Sequence, residues 1–340
     1  MKSILEGKTI LITGGTGSIG GEIVTQALQL GAKKVIVFSR DEIKHFLMRK
    51  RIEDDRLETF VGDIRNTRSI EMVFMKYHID IIYHAAAMKH VVMCDQFPLE
   101  AVETNIRGTQ NLVDMTLKYK VSKMINISTD KAVYPINILG ITKFAAEKII
   151  LNANKMKENS PIFASVRFGN VVNSRGSVIP VYIDNLLHNN PLEVTNPEVT
   201  RFFMEIPDAI RLVIKAADYA KGGEIFILKM KAFKLGDLVD VIVRRIAGKL
   251  NIPSSDVRLN ITGLFPGEKL HEDLLSEAEV LHTGELEDMF VVLPDGSDMT
   301  DHLSLKRANS LKYNSENAEI INKEELENMV LKYLSINNII

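Results

Sequence analysis

The feature that most limits what this chain can fold into lies near its beginning. The apolar run Thr9–Thr13 passes directly into Gly14-Gly15-Thr16-Gly17-Ser18-Ile19-Gly20 and then into a helical pattern. A strand that turns this tightly into a helix brings backbone N–H groups to the helix N-terminus, where the dipole favours an anion. The Gly-x-x-Gly-x-x-Gly spacing on a first strand–helix turn predicts that Gly14, Thr16, Gly17, Ser18, Ile19 and Gly20 cradle the pyrophosphate of a dinucleotide.

The rest of the first half agrees with this start. Short apolar runs at 34–38, 59–61, 79–84, 123–128 and 163–167 alternate with helix-length segments at 20–30, 41–54, 67–76, 98–118 and 137–154. Continuous apolar runs are what strands covered on both faces require, and the alternating order implies right-handed crossovers. The expected fold class is α/β, a Rossmann-type doubly wound parallel sheet. After Asn170, segments 173–177, 189–196 and 253–267 are richer in Gly, Pro, Asn and Ser, which predicts a smaller, loop-rich α/β lobe. The domains expected are 1–170, completed by part of 203–250, and 171–340, with a polar excursion at 295–319 before a last helix at 323–334.

Composition narrows the function classes. With 46% hydrophobic residues, 25% charged residues and a net charge of −2, the chain reads as an ordinary soluble globular protein with no basic excess for nucleic acid. Apolar residues nowhere run uncharged for a membrane span, since 79–88 is interrupted by Asp80 and His84, and no signal peptide is expected. A single cysteine, Cys94, excludes a disulfide framework and suits a reducing compartment, so the cytoplasm is the expected location. The histidines lack metal-ligand spacing, and no metal is expected.

The second strand ends in Phe38-Ser39-Arg40-Asp41. A site for NAD would put an acid first, on the ribose 2′-hydroxyl. Here Ser39 and Arg40 come first, which favours the 2′-phosphate of NADP, while Asp41 keeps NAD open. Asp63 and Ile64 follow the third strand, where adenine is expected, with an N-cap or turn role for Asp63 the alternative. Ala85 and Ala86, after the fourth strand, are small enough for a cofactor to lie close.

The fifth strand ends in Ser128-Thr129-Asp130-Lys131, and Lys143 lies on the helix that follows. Ligands of open α/β sheets bind beyond the carboxyl ends of the strands, so a hydroxyl, an acid and an amine clustered there make a candidate active site. A solvated turn with an ion pair is the plainer alternative.

At these residues the chain resembles the extended short-chain dehydrogenase/reductases, and more narrowly the short, soluble UDP-N-acetylglucosamine 4,6-dehydratases that invert C5 in pseudaminic-acid and capsule-type biosynthesis. Besides the glycine turn, the resemblance rests on Phe38-Ser39-Arg40-Asp41-Glu42, Gly62-Asp63-Ile64-Arg65, His84-Ala85-Ala86-Ala87, Ser128-Thr129-Asp130-Lys131, Gly169-Asn170-Val171-Val172, Ser174-Arg175-Gly176, Thr200-Arg201-Phe202 and Pro266-Gly267-Glu268-Lys269. Asp130-Lys131 is the discriminating pair, since the retaining enzymes tend to carry Asp-Glu in its place.

The resemblance implies oxidation at C4, removal of the C5 proton by Lys131, departure of the C6 hydroxyl assisted by Asp130, and reduction at C6. It implies that Thr129 bonds near the sugar O4 and that Lys143 holds the nicotinamide ribose. Lys89, Asn170 and Arg175 would border the substrate, the last two at the diphosphate, and Arg201 and Glu268 would serve uridine. The superfamily's catalytic tyrosine is Leu139 here, which leaves the C4-hydroxyl base open among Asp130, Lys131 and Thr129, with Tyr134 the nearest tyrosine. The resemblance also implies a homo-oligomer, a dimer or hexamer, and likens Tyr313–Asn317 to a tail that supports assembly. Two other readings stand beside this one: a UDP-N-acetylhexosamine 4-epimerase, and a non-catalytic NADP-binding regulatory protein.

Overall fold

The computed structural model describes residues 3–156, 161–172, 177–294, 296–297, 305–308 and 312–339. The chain sorts into two compact units, one of Met1–Phe168, Pro207–Lys229 and Leu275–Leu311, the other of Gly169–Ile206, Met230–Leu274 and Lys312–Ile340. The first unit thus takes back 207–229 and also 275–311, so the later half is not one continuous lobe from 171 to 340. What decides this is strand pairing between residues far apart in sequence, which local patterning does not carry.

In the first unit, β1 (Thr9–Thr13), β2 (Lys34–Ser39), β3 (Leu57–Val61), β4 (Ile81–His84), β5 (Lys123–Ile127) and β6 (Ile162–Arg167) form a parallel sheet in the order β3-β2-β1-β4-β5-β6. Strand Ile225–Leu228 adds parallel to β6, and Met289–Val292, Thr283–Glu285 and Lys306–Arg307 extend the edge in antiparallel fashion. The order reverses between β1 and β4, the switch point where such sheets bind ligands. Register pairs Thr13 with Phe38 and His84, and His84 with Asn126, so four strand ends lie level there.

The β1, β4 and β5 runs are almost wholly buried, as their unbroken apolar character requires. Leu11, Ile36, Ile82, Met124 and Phe163 meet Ile70, Val73, Leu112, Val113 and Ile150 from the helices in one core. The expected helix at 98–118 is three pieces: Pro98–Val102, a wide π turn at Glu103–Arg107, and Gly108–Lys118. A π turn inside a helix often marks a functional position, and this one carries Asn105.

In the second unit, Thr200–Glu205 pairs with Lys231–Lys234 and with Asn170–Val172, and Leu192–Val194 pairs with Leu259–Ile261. Its core joins Ile183, Leu192, Leu238, Ile242, Ile246, Leu326, Val330 and Leu334. Asn322 caps the last helix, Lys323–Ile336, through the N–H groups of Glu324 and Glu325. Tyr313 and Ser315 tie the preceding segment to this unit: the Met230 N–H donates to the Tyr313 hydroxyl at 2.6 Å, and the Glu272 N–H to Ser315 Oγ at 2.9 Å.

Candidate active site

The glycine turn is shaped by backbone contact. Gly14 has φ +67°, and a Cβ there would sit 2.7 Å from the Ala86 nitrogen, so both conformation and space demand glycine. A Cβ on Gly20 would strike the Gly14 carbonyl. Helix Ser18–Gln29 opens at Gly17 with no side chain capping it, which leaves its positive end for an anion. Ser18 and Ile19 are half-buried in its first turn, and Ala85 and Ala86 are half-buried beside Gly14.

At the end of β2, Thr16 Oγ1 lies 2.9 Å from Ser39 Oγ, which lies 2.9 Å from His45 Nε2. Asp41 caps helix Glu42–Arg51, accepting from the Lys44 N–H at 3.0 Å and pairing with Lys44 Nζ at 2.6 Å. It is therefore engaged by its own helix. Arg40 is more than half exposed, its guanidinium 4.0 Å from Asp63. Asp63 is gripped by Arg65, whose Nε and Nη2 donate to it at 2.9 and 2.7 Å. Burial pushes its carboxyl up, but the Arg65 hydrogen bonds and charge outweigh this and hold it below the usual range. The Ile64 side chain belongs to the core, and its carbonyl accepts from Asn111 at 3.0 Å.

Beyond β5, Thr129 opens a single tight turn, Asp130–Ala132. Asp130 is fully buried, and its Oδ1 accepts from Thr129 Oγ1 at 2.8 Å and from Lys131 Nζ at 3.0 Å. Its Oδ2 is buried without a hydrogen-bond partner among the described residues, a costly arrangement for which a catalytic role is one explanation. The Lys131 side chain is one-fifth exposed, so the pair is no solvated turn. Gly140, in the first turn of helix Ile138–Ala153, packs its Cα against the Lys131 carbonyl with no room for a Cβ. Gly140→Ala must push the Asp130-Lys131 turn aside. We expect it to lower turnover at least tenfold at a stability cost of about 1–3 kcal/mol, read from initial rates and urea unfolding.

Lys143, on the same helix, is buried and donates to the Ile127 carbonyl at 2.6 Å. Burial lowers its ammonium from an ordinary 10.5 to about 8, against the opposing pull of Glu147 one turn on. Glu147 forms two parallel hydrogen bonds with Arg167 at 3.1 and 2.8 Å, and Arg167 makes another two with Glu279 at 3.1 and 3.0 Å. Two cations and two carboxylates thus balance under the site.

His84 is held by its neighbours. Thr109 Oγ1 donates to the Asn105 carbonyl, so it accepts from His84 Nε2, and His84 Nδ1 accepts from Thr13 Oγ1 at 2.7 Å. Burial, with the Lys143 charge, pushes this histidine down to about 3 and keeps it neutral. Asn105 accepts from the Met88 N–H at 2.8 Å and donates to the Met88 carbonyl and Thr142 Oγ1, pinning the chain after β4. Lys89, just beyond, is exposed. Leu139 packs with Cys94 and Ala101, and the Tyr134 hydroxyl accepts from the Glu277 N–H at 2.8 Å, so neither position offers a phenol to the strand ends.

In the second unit, Asn170 is exposed at the start of its strand. Arg175 lies outside the described residues. Arg201 and Glu268 are brought together: Arg201 Nη2 donates to Glu268 Oε1 at 2.8 Å while Glu268 Oε2 is buried with no partner among the described residues. Residues the sequence reading left aside are His45, Arg65, and the Glu147–Arg167–Glu279 group. A charged residue closing a buried apolar strand, as Arg167 does, was the available signal for the last.

A doubly wound sheet with this glycine turn, and an acid and amine at the end of β5, defines an extended short-chain dehydrogenase/reductase of the nucleotide-sugar dehydratase and epimerase kind. The chain belongs to the polysaccharide biosynthesis protein family, whose model matches residues 10–294. It is 43% identical to an uncharacterized membrane protein of Methanocaldococcus jannaschii over 96% of both chains. It is 34% identical to a UDP-glucose 4-epimerase of Rickettsia rickettsii over 95% of both. The X-ray structure of Pen from Bacillus thuringiensis, at 40% identity, superposes with a TM-score of 0.90 over 97% of this chain and 98% of that one. Among the described residues no helix is long and apolar enough to cross a membrane.

Proposed function

We propose that this chain is an NADP-dependent UDP-N-acetylglucosamine 4,6-dehydratase that inverts C5, a lyase serving surface-glycan biosynthesis as a homo-oligomer. The observation that carries the reading is the buried Asp130 joined to Lys131 at 3.0 Å, with a carboxylate oxygen left unpartnered at the end of β5.

The donor set suits the dinucleotide. Gly14, Thr16, Gly17, Ser18, Ile19 and Gly20 would hold its pyrophosphate, and Ser39 and Arg40 its 2′-phosphate. Asp63 and Ile64 would stand at adenine, and Ala85, Ala86 and Lys143 at the nicotinamide end. When bound, the nicotinamide supplies reversible two-electron oxidation of the sugar.

Taking the C5 proton needs a neutral amine, and expelling the C6 hydroxyl needs a proton donor. Both roles are open when the pair enters the reaction one proton short, with the neutral Lys131 amine 3.0 Å from the Asp130 carboxylate. Lys131 Nζ then accepts the C5 proton, and Asp130 gives its proton to the departing hydroxyl. A carboxylate carrying that proton has one oxygen, Oδ2, with no other donor aimed at it. With leucine at 139, the proton lost by the C4 hydroxyl passes to the Asp130 carboxylate and is the one Asp130 gives to the departing C6 hydroxyl, which leaves the Lys131 amine free to take the proton from C5. Lys89, Asn170, Arg175, Arg201 and Glu268 would hold the UDP-sugar.

Lys143 acts as a cation, so its titration limits the alkaline side. We expect affinity for NADP+ to decline as pH rises through about 8, measured by calorimetry. Its effect on stability has the opposite sense: the folded protein disfavours the bound proton, so this penalty is full below about 8 and relieved between there and 10.5.

The 34% identity to a protein named UDP-glucose 4-epimerase favours a second reading, an epimerase. Mass spectrometry of UDP-N-acetylglucosamine after incubation separates the two. A product lighter by one water supports the dehydratase, and a chromatographically distinct species of unchanged mass supports the epimerase.

A further inference from the structure

We infer that His45 is a positioning residue that makes this chain select a phosphate over a hydroxyl at the 2′ position of the dinucleotide, by fixing the Ser39 hydroxyl as a hydrogen-bond donor. The inference rests on the proposed NADP reading and adds the residue that enforces it.

His45 and Met48 are the buried residues of helix Glu42–Arg51, whose other side chains lie at the surface. His45 Nε2 is 3.1 Å from the Ser39 carbonyl and 2.9 Å from Ser39 Oγ. A carbonyl only accepts, so Nε2 carries the hydrogen and shares it between the two oxygens. Ser39 Oγ is thereby an acceptor toward His45; with Thr16 Oγ1 as the donor of their 2.9 Å contact, the proton of Ser39 is left for an incoming acceptor. Nδ1 is buried with no partner among the described residues, which suits the neutral ring and would leave a second N–H of a charged ring unsatisfied.

The surrounding charges agree. Asp41 is taken by Lys44 and Asp63 by Arg65, while Arg40 extends into solvent. The rim therefore presents donors and engaged carboxylates. A phosphate monoester offers acceptors alone and matches such a rim, whereas a ribose hydroxyl is best held by an open carboxylate.

The test is the ratio of dissociation constants for NADP+ and NAD+, by calorimetry without sugar, in the wild type, His45→Leu, His45→Gln and Ser39→Ala. The two dinucleotides share every contact but the 2′ group, so a structural defect alone leaves the ratio in place. We expect a wild type selective for NADP+, a roughly tenfold loss of selectivity in His45→Leu and in Ser39→Ala, no further loss when they are combined, and retention in His45→Gln, whose amide also presents an N–H. A selective wild type with an unchanged ratio in His45→Leu overturns the role of His45 alone. A wild type that binds both equally overturns the NADP reading beneath it. Should His45→Leu not fold, an unchanged ratio in Ser39→Ala overturns the inference in its stead.

Discussion

Lys131→Met is expected to lower turnover of UDP-N-acetylglucosamine by a factor of about 10²–10⁴, the range a positioned general base contributes. Methionine keeps the length of the side chain and removes the amine, so the proton that must leave C5 has no acceptor. NADP+ affinity is expected to stay within about twofold, because Lys131 belongs to the turn after β5 and not to the glycine turn. Asp130→Asn should cost as much by withholding the proton from the departing hydroxyl. Because the two residues work as a unit, the double variant should lose little more than either single one. Initial rates on protein with unchanged circular dichroism measure this. A Lys131→Met enzyme running at more than a tenth of the wild-type rate would remove Lys131 from the mechanism.

Arg167→Met is expected to destabilise the first unit by about 3–5 kcal/mol, since it leaves Glu147 and Glu279 facing each other without their shared cation. The Arg167 and Glu147 side chains are only 1% exposed and that of Glu279 18%, so water screens the two carboxylates little. Lysine at 167 should not rescue the loss, because a point charge cannot form two bidentate contacts at once. The exposed pair Arg211–Asp208 is the internal contrast: Arg211→Ala should change stability by no more than about 0.5 kcal/mol. Urea unfolding of the three variants checks the comparison, and a cost below about 1 kcal/mol for Arg167→Met would mean the buried charges are compensated by some other route.

Much of the first unit was legible in the sequence for a physical reason. Strands buried on both faces must be unbroken apolar runs, and the expected runs at 34–38, 123–128 and 163–167 fall within a residue of β2, β5 and β6. Helix Thr67–Lys76 was fixed by Asn66, whose side chain accepts from the Ser69 N–H, and by Ile70, Val73 and Phe74 on one face. The return of 275–311 to the first unit was not legible, because strand Met289–Val292 looks local until its partner, Ile225–Leu228, is known.

The same division holds for the site. Thr129, Asp130 and Lys131 could be singled out because a hydroxyl, an acid and an amine stand adjacent at one strand end. Their arrangement, with one carboxylate oxygen doubly bonded and the other bare, depends on the Thr129 turn and on Gly140 packing against it. Arg201 and Glu268 were expected separately, and only the fold shows that they satisfy each other. His45 gave no signal, since a lone histidine in a basic helix becomes informative only when its ring is seen against Ser39.

The central claim is that Lys131 and Asp130 remove a proton from C5 and water across C5 and C6. Proton NMR of UDP-N-acetylglucosamine incubated with the protein and NADP+ in deuterated water tests it most directly. The account predicts a new C6 methyl signal, deuterium at C5 and coupling constants of the inverted sugar. A C6 hydroxymethyl left intact, with protium retained at C5 and the C4 configuration changed, would contradict it.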